Sequence, residues 1–171
     1  MTAGEKISLR PWGESDLEAL VLLADNRNIW INLRDRFPHP YTRAAAEFWI
    51  AHCKAEPGPV TQFAIDFNGH AVGGIGLETF GDVHRVTAEI GYWVGEPFWG
   101  RGVATAALKR MTEYAFATFP FQRLQAAVFG WNAASARVLE KAGYVLEGRL
   151  RQSIIKDGRL TDSLLYARLR T

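Results

Sequence analysis

Glu89–Ala115, EIGYWVGEPFWGRGVATAALKRMTEYA, changes its hydrophobic period in the middle, and that change decides how the chain is read. Up to Val94 the apolar residues alternate. Val86, Ala88, Ile90, Tyr92 and Val94 fall on one face of a strand that opens at Val86. Gly95–Gly100 (GEPFWG) holds two glycines and a proline and predicts a turn. From Arg101 the period is helical: Val103, Ala107, Met111 and Ala115 stand four apart, and Ala104 and Leu108 widen the stripe. The stretch is a strand, a turn and a helix.

That order puts a helix start at the end of a strand. The first N–H groups of a helix have no internal partner, and the macrodipole adds partial positive charge there. Gly100 and Gly102 remove Cβ atoms where a ligand has to approach the backbone, and Ala104 is nearly as small. A diphosphate at Arg101–Thr105 can therefore accept several N–H bonds with no charged side chain being essential. The same spacing also fits a turn that binds nothing. Two other phosphate motifs are excluded. GxxxxGK[ST] does not occur, and Gly100-Arg101-Gly102-Val103-Ala104-Thr105 lacks the last glycine of a dinucleotide fingerprint. The next strand, Leu124–Phe129, carries no acid for a ribose. Neither NAD nor a nucleoside triphosphate is expected.

Outward from this unit, Lys6–Arg10 reads as a first strand, and Ser15 with Glu18 as a capping box for a helix over Leu17–Asp25. Asn26–Tyr41 is irregular, rich in aromatics and charge, with Pro38 and Pro40 ending any helix begun there. Thr42 caps a helix over Arg43–Lys54. Val60–Phe67 and His70–Phe80 flank Asn68-Gly69, a strong hairpin signal, and a loop over Gly81–Arg85 leads into the strand at Val86. Strand, helix and then the strand Leu124–Phe129 imply a right-handed parallel crossover. Asn132 caps a short helix, Ala133–Ala142, which Gly143 stops; Tyr144–Lys156 and Arg159–Arg170 form a hairpin around Asp157-Gly158. The predicted class is α+β: a mixed, mostly antiparallel sheet with helices on both faces and one parallel strand pair.

A length of 171 residues predicts one domain, and 48% hydrophobic with 22% charged residues is ordinary for a soluble globular chain. The net charge of +2, with Lys and Arg scattered, argues against nucleic acid as a partner. No apolar run is long enough for a membrane span and MTAGEKISLRPW has no signal-peptide core, so a cytoplasmic location is expected. Cys53 has no partner for a disulfide. His39, His52, His70 and His84 show no ligand spacing, so no metal site is expected, and no GxSxG elbow is present.

Glu89 shares a strand face with Thr87, Gly91 and Trp93, opposite the apolar side. A carboxylate in mid-strand is costly unless solvated or paired. An ion pair with an arginine and a general base acting on an amine both fit.

The run YWVGEPFWGRGVATAAL (Tyr92–Leu108) resembles the acetyl-CoA pyrophosphate loop of the GNAT N-acetyltransferases, and NAASARVLEKAGY (Asn132–Tyr144) their second cofactor segment. The similarity continues through EGRLRQSIIKDGRLTDSLLYARL (Glu147–Leu169), and the branch it is most similar to is that of the ribosomal-protein N-terminal acetyltransferases. The resemblance implies acetyl-CoA as cosubstrate, held by Trp93, Val94, Arg101, Gly102, Val103, Ala104, Thr105 and Asn132. It implies Glu89 as general base and Ser135 as the group that protonates the departing thiolate in place of the missing tyrosine, or else leaves that step to water. Two departures stand out. Trp99 replaces the Gln or Arg that opens the general superfamily loop, and Leu139 stands where many members carry a tyrosine acid. The implied acceptor is a primary amine: the α-amino group of a protein N-terminus or, alternatively, a small-molecule amine. A non-catalytic acyl-CoA-binding module is the more remote alternative. Acceptor specificity is expected in Asn26–Tyr41 and the C-terminal hairpin, whose long edge can also pair with a second copy in a homodimer.

Overall fold

The computed structural model describes residues 6–170. β1 (Ile7–Pro11) leads through a single 3-10 turn to α1 (Leu17–Ala24), the one-turn α2 (Arg27–Trp30) and α3 (Arg43–Ala55). β2 (Gln62–Phe67), β3 (His70–Thr79) and β4 (Thr87–Val94) follow as a meander, then α4 (Val103–Thr118), β5 (Arg123–Phe129), α5 (Ala133–Lys141), β6 (Val145–Lys156) and β7 (Arg159–Leu169). The strands form one seven-stranded sheet in the order β1-β2-β3-β4-β5-β7-β6. Every neighbouring pair is antiparallel except β4–β5.

Both expected hairpin turns form. Asn68 and Gly69 have φ of 54° and 90°, and Asp157 and Gly158 have 51° and 71°, the left-handed pairs that a two-residue turn between twisted strands requires. α4 and α5 pack on one face of the sheet through Val103, Ala107, Leu108, Met111 and Leu139, against Ala88, Ile90, Leu124 and Val128. Each large apolar side chain buried there contributes about 1.5–3 kcal/mol. α1 and α3 cover the other face through Leu20, Ala24, Ala46 and Ile50, against Trp12, Ala64 and Ala71. The α+β class with helices on both faces is what the chain adopts.

Three local expectations are corrected. Ser15 and Glu18 do not form the capping box. Asp16 does the work instead, accepting the N–H of Gly13 (2.9 Å) and both terminal nitrogens of Arg10 (2.7 Å each), while Glu18 pairs with Arg43. Asn26–Tyr41 is not wholly irregular, because Asn26 Oδ1 accepts the N–H of Asn28 (2.8 Å) and nucleates α2. Finally, α4 starts at Val103 rather than Arg101, since Gly100 and Gly102 both take left-handed φ, 74° and 78°.

Arg10 also donates to Asp66 on β2 (2.8 Å), so one guanidinium ties β1, β2 and the start of α1. Burial pushes the Asp16 carboxyl up, but the hydrogen bonds from Arg10 and Gly13 outweigh it and hold it below its usual range. A depressed folded pKa stabilises above the ordinary carboxylate range, and that contribution is lost as pH falls through the folded value. Asp16→Ala should lower stability at neutral pH by about 1.5–3 kcal/mol, the range for a hydrogen bond to a charged group. Denaturant titrations at neutral and acidic pH check it: the gap between variant and wild type narrows on acidification.

Candidate active site

β4 and β5 pair over only three positions, Thr87↔Arg123, Ala88↔Leu124 and Glu89↔Gln125. Beyond them the strands part. β4 continues on β3 as far as Gly73↔Val94, and β5 on β7 as far as Phe129↔Ser163. Ile90–Val94 and Ala126–Phe129 therefore face each other across an opening in the middle of the sheet. Trp99 lies at its far end, with Nε1 donating to the carbonyl of Val94 (2.6 Å), which gives the unexpected tryptophan a structural role.

The opening belongs to a cavity of about 1810 Å³ that runs through the sheet. On the α4 side its wall includes Gly100, Gly102, Val103, Ala104 and Thr105. The first intrahelical bond of α4 is from Ala106 N–H to Gly102 O (3.0 Å), so the N–H groups of Val103, Ala104 and Thr105 have no intrahelical partner. A Cβ built on Gly100 or Gly102 meets nothing within 4 Å, so the space beside the start of α4 is open. Arg101 turns away. Its guanidinium carbon sits 5.8 Å from the Phe67 ring and 5.9 Å from the Phe98 ring, and its side chain is not part of the cavity wall.

Trp93 and Val94 both border the opening, on opposite faces of β4. Trp93 packs against Phe37 on the α1–α3 side, whereas Val94 is buried in the main core. Asn132 caps α5 by accepting the N–H of Ser135 (3.1 Å). Ser135 and Asn132 border the cavity from the α5 side. Leu139 is fully buried in the main core and contributes an apolar side chain to the cavity wall.

Glu89 borders the same cavity on the α1–α3 side, and it does find an arginine: Arg34 donates to Glu89 Oε1, leaving Oε2 without a hydrogen-bond partner among the described residues. Glu78 stands directly opposite Glu89 in the β3–β4 register. Two like charges so placed repel. Arg34 bridges them, donating to Glu78 Oε2 as well (3.0 Å), and Arg36 adds a second cation on Glu78 (2.7 Å). Arg36, against a smaller opposing effect of burial, holds the Glu78 carboxyl below its usual range. The parting of β4 and β5 thus brings together groups from opposite faces of the sheet: Glu89 on one side, Ser135 on the other.

Three functional candidates escape a reading of the sequence. Arg34 and Glu78 meet Glu89 only through tertiary contact, and no local spacing encodes it. Tyr92 falls with the apolar face of its strand by alternation, but its hydroxyl lies 2.9 Å from Ser135 Oγ and 3.3 Å from Ser135 O. One signal could have found it: a phenol on a buried strand face has to find a partner. Among the described residues, no three His, Cys, Asp or Glu converge to hold a metal ion, and no helix is long and apolar enough to cross a membrane.

The segment 28–38 and residues 153–156 complete the cavity wall on the α1–α3 side. They are joined to one another. Lys156, almost fully buried, donates to Asp35 (2.8 Å) and lies 3.8 Å from the centre of the Trp30 ring, and Trp131 Nε1 donates to Asn32 (3.1 Å).

A family model described as the acetyltransferase (GNAT) domain matches residues 6–145. The uncharacterized N-acetyltransferase YoaA of Bacillus subtilis (strain 168) is 35% identical over 96 residues, 56% of this chain and 54% of YoaA. The chain spans about half the length of several such curated relatives. Spermidine N(1)-acetyltransferase of Escherichia coli (strain K12) is 24% identical over 166 residues, 96% of this chain and 86% of the enzyme. Among solved structures, Mycobacterium smegmatis RimJ in complex with CoA-disulfide is 26% identical with a TM-score of 0.83, covering 95% of this chain and 81% of that one. With the sheet parted at β4–β5 and the open helix start beside it, the match places the chain in the GNAT acetyltransferase family.

Proposed function

We propose that this protein transfers the acetyl group of acetyl-CoA to a primary amine, the α-amino group of a protein N-terminus, by direct attack in a ternary complex. The observation that carries the reading is the parting of β4 and β5 beside the free N–H groups of Val103, Ala104 and Thr105. An anion-binding helix start and an adjoining slot through the sheet suit a ligand with a diphosphate at one end and a narrow arm at the other. In this assignment the pyrophosphate lies at Gly102–Thr105 and the thioester near Asn132 and Ser135. The acceptor approaches from the Glu89 side.

The chemistry follows from that placement. The amine nitrogen attacks the thioester carbonyl carbon, the C–S bond breaks, and the sulfur leaves as a thiolate. Glu89 Oε2 takes the proton that the ammonium must lose, directly or through water. The positioned reactants supply most of the acceleration. A covalent route through cysteine has little support: burial pushes the Cys53 thiol up to about 12, and Cys53 does not border the cavity.

The acceptor class rests on charge. Arg34 and Arg36 already neutralise Glu78 and Glu89, so a polyamine meets a wall with no net negative charge to hold its second ammonium. An α-amine ordinarily titrates near pH 7.7–8.0 and a lysine near 10.4, so freeing the nucleophile at pH 7 costs roughly 1 kcal/mol for the first and about 4–5 kcal/mol for the second. A site with a single carboxylate base is matched to the easier amine. The test compares initial rates on a peptide with a free N-terminus and blocked lysine, on its counterpart with those protections reversed, and on spermidine. The free N-terminus should react fastest. Faster lysine or spermidine acetylation would overturn the α-amine assignment.

A further inference from the structure

Tyr92 borders the cavity but has no part in the acyl-transfer steps above. Its side chain leaves β4 three residues past the last β4–β5 pair, crosses the opening and ends 2.9 Å from Ser135 Oγ and 3.3 Å from Ser135 O. Asn132 Oδ1 holds the N–H of the same serine (3.1 Å). The first turn of α5 is therefore held at both the backbone and the side chain of Ser135. Burial, against the opposing hydrogen bond with Ser135, pushes the Tyr92 hydroxyl up to about 12, so it stays protonated and able to donate at neutral pH. Leu139 is buried and offers no proton.

A serine hydroxyl has one proton and two lone pairs. If Ser135 donated to Tyr92, the phenol would turn its own proton to the Ser135 carbonyl (3.3 Å), and the serine would offer a ligand in the opening only its lone pairs. If Tyr92 donates, the serine O–H is left free to turn toward the cavity. We propose that Tyr92 is a positioning residue for departure of the thiolate: its phenol donates to Ser135 Oγ and directs the serine O–H at the sulfur. As the C–S bond breaks, the electron pair stays on sulfur and is stabilised by that O–H. The thiolate then takes a proton from solvent, the proton lost by the amine passes through Glu89 to solvent, and both hydroxyls end the cycle unchanged. This rests on the acyl-transfer reading above.

The test is a double-mutant cycle of Tyr92→Phe and Ser135→Ala, with kcat and KM for acetyl-CoA measured on the α-amine peptide and folding checked by thermal melts. Tyr92→Phe keeps the ring in the core. Each single variant should lose about fivefold in kcat, as expected for about 1 kcal/mol from one hydrogen bond, with KM for acetyl-CoA little changed. The double variant should be no slower than Ser135→Ala alone. A tyrosine that only holds α5 in place gives the opposite pattern, with a raised KM, an unchanged kcat and a loss that persists in the Ser135→Ala background. That pattern, or wild-type kinetics in Tyr92→Phe, would overturn the proposal while leaving acyl transfer intact. Should Tyr92→Phe melt below assay temperature, Ser135→Ala decides alone, since the proposal requires its kcat to fall. A wild-type protein that acetylates no amine overturns both.

Discussion

Gly102→Val should weaken acetyl-CoA binding by at least about tenfold, and Arg101→Ala by no more than about threefold. The first figure corresponds to losing one hydrogen bond from backbone to a charged group, about 1.5–3 kcal/mol. The second corresponds to removing a solvent-screened charge whose side chain packs on Phe67 and Phe98 instead of facing the cavity. Valine at position 102 acts twice. Its β-branched side chain adds bulk to the open space beside the start of α4, and the φ of 78° costs a non-glycine residue about 1–2 kcal/mol. Gly102→Ala carries the same backbone cost with far less bulk, so the difference between the two variants isolates the blocked approach. Calorimetric titration with acetyl-CoA, after thermal melts of each variant, reads all three. Equal losses in Arg101→Ala and Gly102→Val would move the pyrophosphate away from the start of α4.

Glu89→Gln should lower kcat on the order of a hundredfold at neutral pH, within the range for a lost general base, with acetyl-CoA affinity nearly unchanged. The deficit should shrink as pH rises through about 8, because the α-amine then arrives already deprotonated. Arg34 supplies the control. If Glu89 serves only to pair with Arg34, then Arg34→Ala and Glu89→Gln remove the same interaction and should behave alike in rate and in melting temperature. If Glu89 is the base, Arg34→Ala keeps the carboxylate and loses far less in kcat. The ion pair does not exclude the base role, because Arg34 takes Oε1 and Oε2 has no hydrogen-bond partner among the described residues. Wild-type rates in Glu89→Gln would make the glutamate structural.

Much of this architecture is legible in the sequence because it is locally encoded. The switch from alternation through Val94 to a four-residue period from Val103 marks β4 and α4, and Asn68-Gly69 and Asp157-Gly158 mark two hairpins by the backbone they need. Boundaries are less legible where a tertiary partner decides them. Asp16 takes the cap from Ser15 because Arg10, on the neighbouring strand, holds its carboxylate in place. Gly102 delays α4 by adopting a left-handed turn that a helical period does not reveal. In the site, Asn132 can be assigned because capping is local. Glu89 can be located but not partnered, since Arg34 lies 55 positions earlier and reaches it only once the sheet has formed. Tyr92 is hidden by its own hydrophobicity. Its ring satisfies the apolar face of the strand, and only the three-dimensional approach of α5 shows what its hydroxyl meets.

The most direct measurement is intact-mass analysis of the α-amine peptide after incubation with isotopically labelled acetyl-CoA, with released CoA quantified in the same reaction. The account predicts one labelled acetyl group on the peptide N-terminus and one CoA released for each, with both signals collapsing together in Gly102→Val and Glu89→Gln. Saturable binding of acetyl-CoA with no label on this peptide or on any amine of a wider panel would contradict it, and would make the slot between β4 and β5 a binding site without chemistry.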